Sequence, residues 1–117
     1  MCIRDRRDFV TLTDVGRAIV HLSELDAAHL GEGLFNLGGE WSPTIFEMSQ
    51  RIAERCEAIS GTLPRIERPE PTASDVSDPL DYSIDRLKST GFELKSPVDD
   101  EIDATLRLCA GAFAKQR

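Results

Sequence analysis

With 117 residues the chain has room for one domain and a modest core, not for two. Forty per cent hydrophobic and 30% charged residues with eight glycines and six prolines exclude a disordered or fibrous chain. The formal net charge of −7 and a pI of about 4.8 argue against general nucleic-acid or anionic-membrane binding, because Arg4, Arg6 and Arg7 form only a short basic cluster interleaved with Asp5 and Asp8.

Phe9 to Leu12 is β-branched, aromatic or aliphatic and reads as a short buried strand. Thr13 or Asp14 can then cap a helix whose Val15, Ala18, Ile19, Leu22 and Leu25 form one apolar stripe, ending near Ala28. Leu34 to Leu37 reads as a second short strand between glycine turns. Ser42 and Pro43 open a helix over 43–60, with Ile45, Met48, Ile52, Cys56 and Ile59 on its apolar face and Gly61 as its stop. From Thr62 to Pro79 four prolines (64, 69, 71 and 79) leave room only for an edge strand around Arg65 to Glu67. Ser83 to Thr90 forms a short helix on Ile84 and Leu87, closed by Gly91, with Phe92 folding back on it. Ser96 and Pro97 open a last helix with the stripe Val98, Ile102, Leu106, Cys109 and Phe113. The expected fold class is therefore α/β: about four helices with two or three short strands, too few for a self-sufficient sheet.

Motifs of chemistry are sparse. Gly31, Gly33 and Asn36 begin the GxGxxG spacing that lets bare backbone approach a pyrophosphate and fail at its third position. His21 and His29 lack the partners of a metal site, and His21 reads as a packing or polar-face residue. No GxSxG elbow exists, and Tyr82 is followed by Arg86 where a Tyr-x-x-x-Lys pair needs lysine. Asp99, Asp100, Glu101 and Asp103 suit a solvated helix start better than paired catalytic carboxylates. Cys2, Cys56 and Cys109 are odd in number and far apart, which fits a reducing compartment; Cys56 and Cys109 read as buried small hydrophobes. No apolar run reaches the roughly 20 residues of a membrane span, and MCIRDRRD is no signal peptide, so cytoplasmic residence is expected.

Five segments in order resemble the carboxyl-terminal part of the extended short-chain dehydrogenase/reductase family, the NAD-dependent nucleotide-sugar epimerases and dehydratases. Arg7-Asp8-Phe9-Val10 followed by Asp14 resembles its RDFV-x-V-x-D segment, and Gly33-Leu34-Phe35-Asn36-Leu37-Gly38 its G-x-[VY]-[YF]-N-[LVI]-G strand. Ser42 to Ala53 resembles the helix after that strand. Asp81 to Leu87 with Thr90-Gly91-Phe92 resembles its D-x-S-K-x-x-x-L-G-[WF] element, and the closing helix its terminal one. The resemblance divides the chain into a non-matching stub, 1–6, and a substrate-binding lobe, 7–117. It implies a parent enzyme, a homodimer, whose glycine fingerprint and Tyr-x-x-x-Lys pair sit in an amino-terminal Rossmann domain preceding Met1. There NAD(P) takes up hydride as tyrosine removes a sugar hydroxyl proton. This chain would carry no cofactor and no catalytic residue. It would hold the nucleotide sugar: Arg7 on the phosphates, Asn36 touching substrate or bracing its loop, and Arg68 or Arg65 in place of an Arg-x-x-Asp pair that Asp75 stands too far away to complete. The bland alternative for Arg7 is a surface ion pair with Asp5 or Asp14. The alternative for the whole chain is a small non-catalytic interaction or dimerisation module. Which reaction, epimerisation, dehydration or reduction, the parent performs is left open.

Overall fold

The computed structural model describes residues 5–70 and 79–114. Cys2, Asp75 and all but the last two residues of the 1–6 stub lie outside them. Five helices follow in order: α1 (Leu12–Glu24), α2 (Ala27–Leu30), α3 (Ile45–Ser60), α4 (Asp85–Lys88) and α5 (Val98–Phe113). Two of the five, α2 and α4, are single turns. Among the described residues no helix is long and apolar enough to cross a membrane.

The α/β expectation is corrected. The described chain is mostly helical and has no sheet. Among the described residues the one β-bridge is antiparallel, between Arg6 and Thr44. The segment thought to be a strand at Phe9 to Leu12 starts too late: the pairing runs earlier, with Ile45 N–H donating to Asp5, Arg7 N–H to Pro43 and Phe9 N–H to Trp41 at 3.0–3.2 Å. By Thr11 the backbone has already turned to cap α1. Leu34 to Leu37 forms no strand, and side chains take two of its carbonyls: Arg86 donates to Leu34 O and Tyr82 Oη to Leu37 O, both at 3.1 Å. Arg65 to Glu67 carries only an exposed ion pair. A strand is stable as such only against a neighbour, and these segments have helices and side chains beside them instead.

Helix boundaries follow from the caps. Thr11 Oγ1 accepts the Asp14 N–H at 3.2 Å, so α1 begins at Leu12. It stops at Glu24, four residues short of Ala28, because Leu25 is extended and Asp26 caps the separate turn α2. Pro43 is held in the pairing with Arg7, which moves the start of α3 to a capping box: Thr44 Oγ1 accepts Glu47 N–H and Glu47 accepts Thr44 N–H. Gly61 ends α3 in the left-handed conformation, as expected. The short helix expected at Ser83–Thr90 shrinks to α4, with Gly91 at φ +94° turning the chain so that Phe92 packs back.

The core is small: Ala18, Leu87 and Phe92, with Leu22, Phe35, Leu37 and Leu94 packed around them. Polar contacts do much of the joining. The carboxylate of Asp14, on α1 and only 2% exposed, accepts the N–H groups of Lys95 and Ser96 at 3.1 Å and the Arg17 guanidinium at 2.6 Å. Glu101, on α5, accepts the free N–H groups of Leu12 and Thr13 at the start of α1, together with the Thr13 hydroxyl. Helices α3 and α5 lie side by side in the same direction, tied by Arg51 to Asp99 and by a two-pronged Arg55–Asp103 pair at 2.5 and 2.7 Å. The acidic start of α5, expected to be a solvated cap, is thus built into the fold. Cys109 is exposed rather than buried, and Cys56 half-buried.

Candidate functional site

The pairing of residues 5–9 with 41–45 brings two clefts together. One, of about 470 Å³, is walled by carboxylates and hydroxyls: Asp8, Glu40, Asp81 and Asp85, with Ser42, Ser83, Tyr82 and Lys88. The other, also about 470 Å³, is walled by Arg6, Arg51, Trp41, Pro43 and Glu47. Glu40 and Ser42 line both, so the two adjoin.

The carboxylate cleft is fixed by glycine. Asp8 Oδ1 accepts the Gly39 N–H at 2.6 Å, and a Cβ on Gly38 would stand 2.7 Å from that oxygen and 2.8 Å from the Tyr82 ring. Glu40, at φ +54°, is the described non-glycine residue with a left-handed backbone, and it pairs with Lys88 at 2.9 Å. Glu40 holds the Lys88 ammonium above the ordinary lysine range, so Lys88 is a cation and no base at neutral pH. A cleft with four carboxylates against one lysine disfavours an anion and suits donors such as the hydroxyls of a neutral sugar.

In the second cleft Arg6 donates to Ser42 O at 2.9 Å and stands 3.8 Å from Glu47. The Arg51 guanidinium lies 4.8 Å over the Trp41 ring while its Nε donates to Asp99. Each guanidinium keeps N–H groups beyond these bonds, and two planar forks suit phosphate oxygens.

Of the residues singled out in the sequence, Arg7 is exposed and pairs with Asp5 at 3.4 Å. Asp14, its other possible partner, belongs to Arg17. The Arg7 main chain bonds to Pro43, which lines the arginine cleft, but its side chain does not line it. Asn36 is exposed on the extended segment, and neither cleft includes it. Arg68 packs over Phe46 at 4.0 Å in a different cleft along α3, of about 370 Å³. The three are therefore not gathered into one site. Sequence reasoning missed Arg6, placed in the stub, Arg51, within the Ser42–Ala53 segment but given no role, and Trp41 and Glu40, which belong to no motif; the signal available was the short spacing of Glu40, Trp41 and Ser42 after the double glycine.

A third, larger groove of about 720 Å³ runs between α1 and residues 91–95. His21 there shares a hydrogen with Thr90 Oγ1 at 2.9 Å and tilts against Phe92, as a packing residue should. Among the described residues no group of three His, Cys, Asp or Glu side chains is placed to hold a metal ion.

The chain matches no protein-family model, no curated protein and no solved structure.

Proposed function

We propose that this chain is a nucleotide-sugar-binding lobe of an epimerase- or dehydratase-like cytoplasmic protein, which grips its substrate and leaves hydride transfer to a separate NAD(P)-binding Rossmann domain. The observation that carries the reading is the pair of adjoining clefts with opposed chemistry. A sugar diphosphate has a neutral, hydroxyl-rich end and a doubly anionic one; the carboxylate cleft accepts hydroxyl donors, and in the adjoining cleft the Arg6 and Arg51 guanidiniums, beside Glu40 and Glu47, supply the donors for phosphate. A second support is the way the motif segments pack on one another, Asp8 on Gly39, Tyr82 on Leu37 and Arg86 on Leu34. A third is expansion: the radius of gyration is 17.8 Å, against about 13 Å for a compact domain of this length, as suits a lobe that packs on another domain. The parent is a homodimer in this reading. No step of hydride transfer is assigned to this chain.

The test is titration calorimetry of the purified chain with UDP- and dTDP-sugars, the free sugars and NAD. Arg6→Gln and Arg51→Gln are expected to weaken nucleotide-sugar binding severalfold, whereas Arg7→Ala, whose side chain does not line the arginine cleft and which removes only an exposed pair worth about 0–1 kcal/mol to the fold, is expected to weaken it less. Micromolar binding of NAD, or binding of free sugar as tight as that of its nucleotide, refutes the assignment.

A further inference from the structure

Two guanidiniums and two carboxylates line the arginine cleft, Arg6 and Arg51 against Glu40 and Glu47. Their formal charges cancel, so a phosphate gains less there from net charge than from where the N–H groups stand. For Arg6 the direction is set within the cleft, by its bond to Ser42 O. For Arg51 it is set from outside. The Trp41 ring, 4.8 Å away, bounds the guanidinium on one side, and Nε donates at 2.7 Å to Asp99 Oδ1. The hydrogens on Nη1 and Nη2 make no other described bond and are left for a ligand.

Asp99 does not line the cleft. It belongs to the first turn of α5, an element that contributes no side chain to the cleft wall. Its bond to Arg51 is poorly placed to serve mainly as a structural tie. The two side chains are 39% and 41% exposed, where an ion pair contributes little to stability. One turn further along, the same two helices are joined by the two-pronged Arg55–Asp103 pair, whose carboxylate is only 10% exposed. We infer, resting on the nucleotide-sugar reading of this site, that Asp99 is a positioning residue for the phosphate: it holds Arg51 so that the free end of its fork serves the cleft. Phosphate binding between residues 5–9 and α3 thereby depends on α5. A fork held in advance gives up less rotamer freedom when the anion arrives. The sign separates this role from a purely electrostatic one. A carboxylate acting through its charge alone repels an anion, and removing it would tighten binding; one that acts by holding Arg51 weakens binding when it is lost.

Calorimetric titration of the whole chain with UDP-glucose and with inorganic pyrophosphate tests this, beside the emission of Trp41, the single tryptophan of the chain. Circular dichroism confirms that each variant is folded. Asp99→Ala is expected to weaken both ligands about two- to twelvefold, the cost of immobilising one rotamer-rich side chain. Without ligand, it is expected to move the Trp41 emission toward that of Arg51→Gln. Asp99→Asn keeps the acceptor oxygen and is expected to stay near wild type by both readouts. Asp100→Ala removes the same charge from the exposed neighbouring position and is expected to bind no more weakly than wild type. In an Arg51→Gln background, Asp99→Ala is expected to add nothing. Unchanged or tighter binding by Asp99→Ala, an Asp99→Asn variant as weak as Asp99→Ala, an equal loss in the Arg51→Gln background, or a Trp41 emission that Asp99→Ala does not move overturns the inference and leaves the nucleotide-sugar reading standing. A wild type that binds neither ligand overturns both.

Discussion

Asp14 is the residue whose loss the fold should feel most. Its carboxylate is buried and receives two main-chain N–H groups from the loop before α5 and one guanidinium from its own helix. Burial pushes its carboxyl up, but the Lys95 and Ser96 amides, then Arg17 and Thr11, more than offset this and hold it below the usual aspartate range. Asp14→Asn keeps the shape and removes the charge. One amide then meets an NH2 instead of an oxygen, and the Arg17 bond loses its ionic partner. An orphaned buried donor costs about 1–3 kcal/mol and a bond to a charged group contributes about 1.5–3 kcal/mol, so the expected loss is about 2–4 kcal/mol, a large share of a stability of about 5–15 kcal/mol. At roughly 3–5 °C per kcal/mol for a chain of this size, the midpoint should fall by about 6–20 °C. The pH dependence carries the same information. Because the folded pKa is depressed, the carboxylate's contribution is complete above its unfolded value of about 3.9 and is lost as pH falls through the folded one. Wild type should therefore lose stability on acidification through that window, and Asp14→Asn should lose less. Thermal melts followed at 222 nm between pH 3 and 7 measure both. A variant melting within 2 °C of wild type at pH 7, with an unchanged acid slope, would show that these contacts do not join α1 to α5.

Further outcomes follow at single positions. Gly39→Ala drives a Cβ into the Phe9 carbonyl oxygen and should abolish cooperative melting, whereas Gly16→Ala, in mid-helix with open space around it, should stabilise by about 0.5–1 kcal/mol in urea titrations. Thr44→Ala breaks the capping box of α3 and should cost about 1 kcal/mol by the same assay. Asp103→Asn removes the two-pronged acceptor of Arg55 and should raise amide exchange along α5 without altering α1. The Asp103 carboxyl is held low by its bond to Arg55, so the same protection should fade in wild type as pH drops through the acid range. Glu101→Gln weakens the acceptor for the Leu12 and Thr13 amides and should speed exchange in the first turn of α1 alone.

Helices were legible in the sequence wherever an apolar stripe met a capping residue, and α1, α3 and α5 lie where their periodicity puts them. Their starts shifted: Thr11 caps α1 ahead of Thr13 and Asp14, Thr44 displaces Ser42 once Pro43 is drawn into the pairing with Arg7, and α5 begins after Pro97 with no side-chain cap from Ser96. The strands were misread for a different reason. Valine, phenylalanine and leucine in short runs announce a preference for extended backbone, and Phe35 and Leu37 do pack on the core. A strand also needs an edge to bond to, and no local pattern says that Tyr82 and Arg86, some fifty residues away, will take those carbonyls. The site suffered likewise: Arg7 stood out through its motif, while Arg6, Trp41 and Arg51 became neighbours only when residues 5–9 lay against 41–45.

A fold with so few buried apolar side chains must be held by other means, and the acidic composition supplies them. Of its carboxylates, Asp14 joins α1 to the loop before α5, Glu101 joins α5 to the start of α1, and Asp99 and Asp103 bind α5 to α3. Each spends negative charge on an arginine or on a row of main-chain N–H groups, so much of the −7 does not sit on the surface as a uniform field. The two clefts then differ in character over a short distance: Glu40, bound to Lys88, lines both, while Arg6, bound to Ser42, lines only the second. The same arrangement makes acid the natural enemy of this molecule, since protonating Asp14 and Asp103 loosens both sides of α5 at once, and with it the wall that holds Arg51 over Trp41.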